Sequence, residues 1–178
     1  MHFEIIMAGF GGQGIMLMGQ LLAYAGMLEG KEVSWLPSYG PEMRGGTANC
    51  TVIVSTDKVG SPIVSKPNVI IVMNRPSLDK FEPVVRENGL LIYNSSLIDR
   101  RPKRNDLQLI AVPANEIANE LGNSKIANMV ALGAFIGKTK AVNIESVIES
   151  LKKVLSPEKS DLIALNKQAL EKGKTLVE

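Results

Sequence analysis

The feature that most constrains this chain is a glycine run set between a β-pattern and a helical one. Phe3-Glu4-Ile5-Ile6-Met7-Ala8 reads as a strand, Gly9-Phe10-Gly11-Gly12-Gln13-Gly14 follows, and an uncharged stretch then continues to Leu28. Gly9, Gly11 and Gly14 fit G-x-G-x-x-G in the strand–loop–helix context that gives the pattern meaning. The first glycine suits a tight turn, the second a close backbone approach to a ligand, and the third close helix–strand packing. The helix start adds N–H groups and a partial positive charge. Two readings stay open: the loop binds an anion or a dinucleotide-type group, or its glycines serve packing and subunit contact.

A nicotinamide site makes one further demand, an acidic side chain at the end of the second strand to hold the ribose. Here that strand ends Val33-Ser34-Trp35-Leu36-Pro37 with no acid; Glu32 lies at its start and Glu42 in the following loop. A free-standing dehydrogenase is therefore poorly supported. The helix after the glycines, from about Ile15 to Glu29, is uncharged as far as Leu28 and contains Gly19 and Gly26. Glycine costs about 1 kcal/mol against alanine inside a helix. A helix apolar all round must be covered all round, by its own domain or by another subunit.

Downstream, Asn49–Val54 is a strong β-run, and Val69–Met73 is apolar throughout, as suits a strand covered on both faces. Pro76 opens a helix that includes Val84-Val85, before a stop at Asn88-Gly89. Leu90–Tyr93 and Leu107–Val112 supply two more strands. From Pro113 the pattern is helical, with a stripe of Ile144, Val147, Ile148, Leu151, Val154 and Leu155. Ser156-Pro157 reads as a helix start and Gly173 as a stop. This alternation predicts one α/β domain over 1–178, a three-layer α/β/α sandwich around a mostly parallel or mixed sheet.

Composition removes several functions. With 20 basic and 18 acidic residues, the chain offers no broad nucleic-acid or membrane surface. Cys50 is its one cysteine and His2 its one histidine. One thiol cannot hold an iron–sulfur cluster, and a protein-only zinc site is equally poorly provided for. No basic leader or cleavage site precedes the first strand, so a cytoplasmic location is expected. Cys50, in a β-run with no adjacent cation, reads as buried and inert. Arg100, Arg101, Lys103 and Arg104 read as a solvated loop, or else as a contact for a ligand's phosphates or an acidic partner. Trp35 packs in the core or at an interface. Ser95-Ser96 suggests a helix cap or a site at a strand end, and with no partner histidine neither serine is a plausible nucleophile.

The most distinctive segment is Ser38-Tyr39-Gly40-Pro41-Glu42-Met43-Arg44-Gly45-Gly46-Thr47, a loop shaped by proline and glycine. Arg44 is a permanently charged fork suited to a carboxylate or phosphate. An ion pair with Glu42, a subunit contact and a ligand contact are all open to it. Together with Gly9–Ile15, Pro113–Ala118 and Asn128–Phe135, this loop resembles the gamma subunit of 2-oxoacid:ferredoxin oxidoreductases over nearly the whole chain. Among these the 2-oxoglutarate type is the nearest match, with pyruvate, 2-oxoisovalerate and indolepyruvate types as relatives.

The resemblance implies a complex that decarboxylates a 2-oxoacid, reduces ferredoxin and forms an acyl-coenzyme A. Thiamine diphosphate, magnesium and iron–sulfur clusters are then expected on partner alpha, beta and delta subunits, with none on this chain. It carries over no catalytic residue and no metal ligand. The contacting loops would be Gly9, Gly11, Gly12, Gln13 and Gly14, with Tyr39, Glu42, Arg44, Gly45 and Gly46. A stand-alone nucleotide- or coenzyme A-binding module is the alternative.

Overall fold

An apolar run such as Val69–Val72 can be stable only between two layers, and all four of its residues are buried. The computed structural model describes residues 1–38, 47–155, 159 and 161–178. Its strands are β1 (His2–Phe10), β2 (Glu32–Ser38), β3 (Thr47–Ser55), β4 (Val69–Val72), β5 (Leu90–Asn94) and β6 (Gln108–Val112). The helices are α1 (Ile15–Leu28), α2 (Arg75–Phe81), α3 (Ala114–Glu120), α4 (Ala127–Thr139), α5 (Ile144–Val154) and α6 (Asp161–Thr175).

The six strands form one sheet in the order β2-β3-β1-β4-β5-β6. β1, β4, β5 and β6 pair in parallel, whereas β3 runs antiparallel to both β1 and β2. The sheet is thus mixed, with one reversed strand. That reversal also explains why the dinucleotide pattern fails. β3 lies between β1 and β2, so the second strand is not beside the glycine loop at all.

The two covering layers are unequal. One face packs Ile5, Met7, Val52, Ile71 and Ile92 against α1, α3, α4, α5 and α6. The other packs Ile6, Ala8, Ile70, Val72 and Leu91 against Leu78 and Phe81 of α2, with Val85, Ile98 and Leu107. α1 lies close on β2 and β3, because a Cβ on Gly19 would sit 2.5 Å from Cys50 Sγ and one on Gly26 2.7 Å from Val33 Cγ1. The domain itself buries this side of α1, and Tyr24, Met27 and Leu28 remain exposed on its outer side.

Two sequence expectations need correction. The helix expected to reach Val85 ends at Phe81, and a 3-10 turn over Glu82–Val84 follows. Pro83 removes the N–H that a continuing α-helix would need. Gly173 is no stop either, since α6 continues to Thr175. Its role is contact: a Cβ there would lie 1.9 Å from Val130 O on α4, and one on Gly133 would lie 2.1 Å from Leu170 O on α6. The two glycines let the helix backbones touch. The expected helix start at Ser156-Pro157 lies outside the described residues.

Candidate functional site

Strand register brings the two loops singled out in the sequence to one edge of the sheet. Phe10, the last residue of β1, pairs with Thr47, and Ser38, the last of β2, pairs with Asn49. The 39–46 connection therefore starts one strand away on the same edge and ends, at Thr47, beside the glycine loop. Tyr39, Glu42, Arg44, Gly45 and Gly46 themselves lie outside the described residues, as does any pairing of Arg44 with Glu42. Parallel pairing places the ends of β4, β5 and β6 along the same edge. In open α/β sheets the carboxyl ends of the parallel strands are where ligands bind.

The glycine loop is shaped by one side chain. Gln13 Oε1 accepts a hydrogen bond from Phe10 N at 2.6 Å, and Gln13 Nε2 donates to Met73 O at 3.4 Å. Gln13 thus occupies the space beside Gly9, where a Cβ would lie 2.5 Å from its Oε1. Gly12 and Gly14 have φ of 90° and 72°, a region that L side chains rarely adopt. Gly14 is also the N-cap of α1, with no side-chain cap. Asn128 of α4 closes over it, donating from Nδ2 to Gly14 O at 3.1 Å. Gly11 is exposed.

A cavity of about 180 Å3 lies beside the loop, lined by Gly12, Gln13, Met73, Asn115, Ser124, Lys125 and Ala127. Its walls carry two carboxamides, a hydroxyl and one cation beside the apolar Met73 and Ala127. Buried carboxamides stand along the same edge: Asn74, Asn94 and Asn128 are each at most 3% exposed. Asn74 Oδ1 caps α2 by accepting from Ser77 N at 2.9 Å. The Ser96 hydroxyl accepts from Glu116 N in the first turn of α3 at 3.3 Å, but the N-cap of that helix is Pro113, so Ser96 is a tertiary contact and not the expected cap. Asn115 and Asn128 lie in segments that carry the family resemblance. Asn94 and Lys125 were not singled out by sequence, because what marks them is tertiary contact.

Among the described residues, no three His, Cys, Asp or Glu side chains gather where they could hold a metal ion. Cys50 is fully buried, and burial pushes its thiol up to about 12 despite the nearby Trp35 indole. It is held as a neutral thiol facing Ile15 O at 3.6 Å.

The basic cluster is only in part the solvated loop expected, since Arg101 and Lys103 are exposed but Arg100 and Arg104 are held in ion pairs. Arg100 pairs with Asp79 and with buried Glu82, the latter at 2.9 Å, and Arg104 pairs with Asp106. Glu82 also accepts from the Lys103 and Arg104 backbone N–H groups. Arg100 thus ties the β5–β6 connection to Asp79 of α2, and Arg104 ties it to the turn that follows through the Glu82 and Val85 carbonyls. Against partial burial, the hydrogen bonds Arg100 donates to Asp79 and Glu82 hold its guanidinium above its ordinary range.

Residues 4–176 match the pyruvate ferredoxin/flavodoxin oxidoreductase family. The chain is 44% identical over 172 residues to the ketoisovalerate oxidoreductase subunit VorA of Methanothermobacter marburgensis, covering 96% of this chain but 35% of that one. It thus spans about a third of that relative's length. It is 34% identical over 175 residues to the 2-oxoglutarate synthase subunit KorC of Methanocaldococcus jannaschii, covering 94% of this chain and 92% of KorC. Among solved structures, the 2-oxoglutarate:ferredoxin oxidoreductase of Magnetococcus marinus, with 2-oxoglutarate, coenzyme A and succinyl-CoA bound, superposes with a TM-score of 0.89 at 25% identity. That match covers 99% of this chain and 31% of the other.

Proposed function

Because the chain belongs to the pyruvate ferredoxin/flavodoxin oxidoreductase family, we propose that it is the gamma-type subunit of a 2-oxoacid:ferredoxin oxidoreductase. In this reading it completes or gates the active site of its partners and performs no bond chemistry of its own. The observation that carries the reading is the shared edge. The glycine loop leaves β1 at Phe10, which pairs with Thr47 where the second loop rejoins the sheet, and a cavity carrying carboxamide, hydroxyl and lysine groups lies beside the glycine loop. An edge of backbone N–H groups, carboxamides and one lysine suits an anionic acyl acceptor such as coenzyme A. Thiamine diphosphate, magnesium and the clusters belong, in this proposal, to partner alpha, beta and delta chains, with ferredoxin docking on the assembly.

For the substrate we propose the 2-oxoglutarate class. Relatives that share 29–37% identity with this chain include 2-oxoglutarate synthase subunits KorC, and the 2-oxoglutarate:ferredoxin oxidoreductase of Magnetococcus marinus superposes on 99% of it. The higher identity to VorA favours a branched 2-oxoacid as the second reading. Purification of the tagged chain from its native host tests both points. Recovery of a thiamine-diphosphate-dependent chain and a cluster-bearing chain is expected, with faster ferredoxin reduction on 2-oxoglutarate than on ketoisovalerate. A lone chain that binds NAD tightly would overturn the subunit reading.

A further inference from the structure

The Asn94 carboxamide is 1% exposed and makes four hydrogen bonds, the full capacity of two donors and two acceptor positions. Its Nδ2 donates to Met73 O at 3.3 Å and to Asn115 Oδ1 at 2.7 Å. Its Oδ1 accepts from Ser96 N at 3.3 Å and from Ala114 N at 3.2 Å. Asn94 therefore ties the end of β5 to the end of β4 and to the first residues of α3.

Met73 O is shared. It also accepts Gln13 Nε2, and Gln13 Oε1 holds Phe10 N at the mouth of the glycine loop. The connected series runs Phe10 N, Gln13, Met73 O, Asn94, Asn115, crossing from β1 to α3 by way of β4 and β5. Every link is an uncharged amide, so the series holds direction and spacing without placing a charge beside an incoming anion. Gln13, Met73 and Asn115 are also walls of the 180 Å3 cavity, which Asn94 does not line.

We infer that Asn94 is a positioning residue: through Met73 O and Asn115 it fixes the glycine loop and the opposite cavity wall at one separation. The inference rests on the reading that this edge serves the acyl acceptor. Members of a buried hydrogen-bonded network strengthen one another, so a member that can no longer donate weakens its neighbours. Asn94→Asp is the sharp substitution. It keeps the acceptor for Ser96 N and Ala114 N and sets a carboxylate oxygen against Met73 O and Asn115 Oδ1, where two donors stood. Gln13→Glu breaks the neighbouring link alone, since its Oε1 still accepts from Phe10 N.

Two measurements test this. In the full-length chain, backbone amide exchange at residues 10–15 should quicken about tenfold in Asn94→Asp, while the β2–β3 amides keep their protection. Gln13→Glu should give the same pattern at smaller amplitude. In the assembled complex, Asn94→Asp should raise the KM for coenzyme A about fivefold, with kcat and the KM for the 2-oxoacid within about twofold of the parent. Unchanged exchange at 10–15 in both variants overturns the inference, as does protection lost evenly across the sheet, the mark of a merely structural residue. A fall in kcat with the coenzyme A KM unmoved overturns it too. If the unsubstituted chain captures no partners, the subunit reading fails, and the exchange measurement still decides whether Asn94 fixes the loop.

Discussion

Glycine is used in two regions of this molecule for opposite reasons. At the α4–α6 crossing, Gly133 and Gly173 are absences of side chain: each leaves room for a carbonyl of the other helix, about 2 Å from where its Cβ would be. In the β1–α1 loop, Gly12 has open space around it and is set by φ, while Gly9 gives room to the inserted Gln13 side chain. The crossing is rigid because backbone meets backbone. The loop is shaped by one polar side chain, which another substitution can relax.

The most severe test of that contrast is Gly173→Ala. Helix propensity alone favours alanine by about 1 kcal/mol, so a loose crossing would be stabilised. A tight one should lose about 3 kcal/mol, at the upper end of overpacking, read from the denaturant midpoint; a gain would break the contrast. Gly9→Ala should cost less, about 1–2 kcal/mol, because its nearest contact is a flexible side chain. Adding Gln13→Ala should recover part of that loss in the same titration, whereas no second side-chain truncation can relieve Gly173→Ala. Gly12→Ala meets no atom and incurs only the left-handed backbone cost, about 1 kcal/mol. Its thermal midpoint should shift least of the three.

Cys50 supplies a reporter common to all of them. Its buried thiol, pushed up to about 12, stays protonated in the folded chain at pH 8, so alkylation there measures opening. Gly173→Ala should speed it most. The folded pKa is raised above the unfolded value, so the stability it contributes is complete below about pH 8.5 and declines as pH rises above that. The decline is at most about 1.4 kcal/mol per pH unit. A Cys50→Ala chain should lose that part of the alkaline slope and keep the neutral-pH plateau.

The residues that could be read from sequence were those whose role is local. The buried run of β4, the strand–glycine–helix order and the Cys50 β-run declare themselves within a few neighbours. The reversal of β3 does not, because strand direction is fixed by pairing partners and not by the pattern of side chains. Gly173 was misread for a related reason: a glycine near a helix end has the same local signature whether it ends the helix or faces another backbone. Its partner is Val130, far back in the chain. Arg100 and Arg104 read as solvated because their partners stand about twenty residues earlier, Asp79 on α2 and Glu82 in the turn after it. Of the candidate site, the glycine loop was legible, whereas Asn94 and Lys125 emerge only when the strand ends are aligned.

The reversed β3 has a consequence for change over time. A parallel crossover would have needed a helix between β2 and β3. Antiparallel pairing instead pins Ser38 and Thr47 in adjoining strands, so a short connection suffices between them. Doubling the length of such a loop costs only about 0.6 kcal/mol in closure entropy. This edge can therefore be rewritten to suit different partners or substrates while the sheet that carries it stays the same.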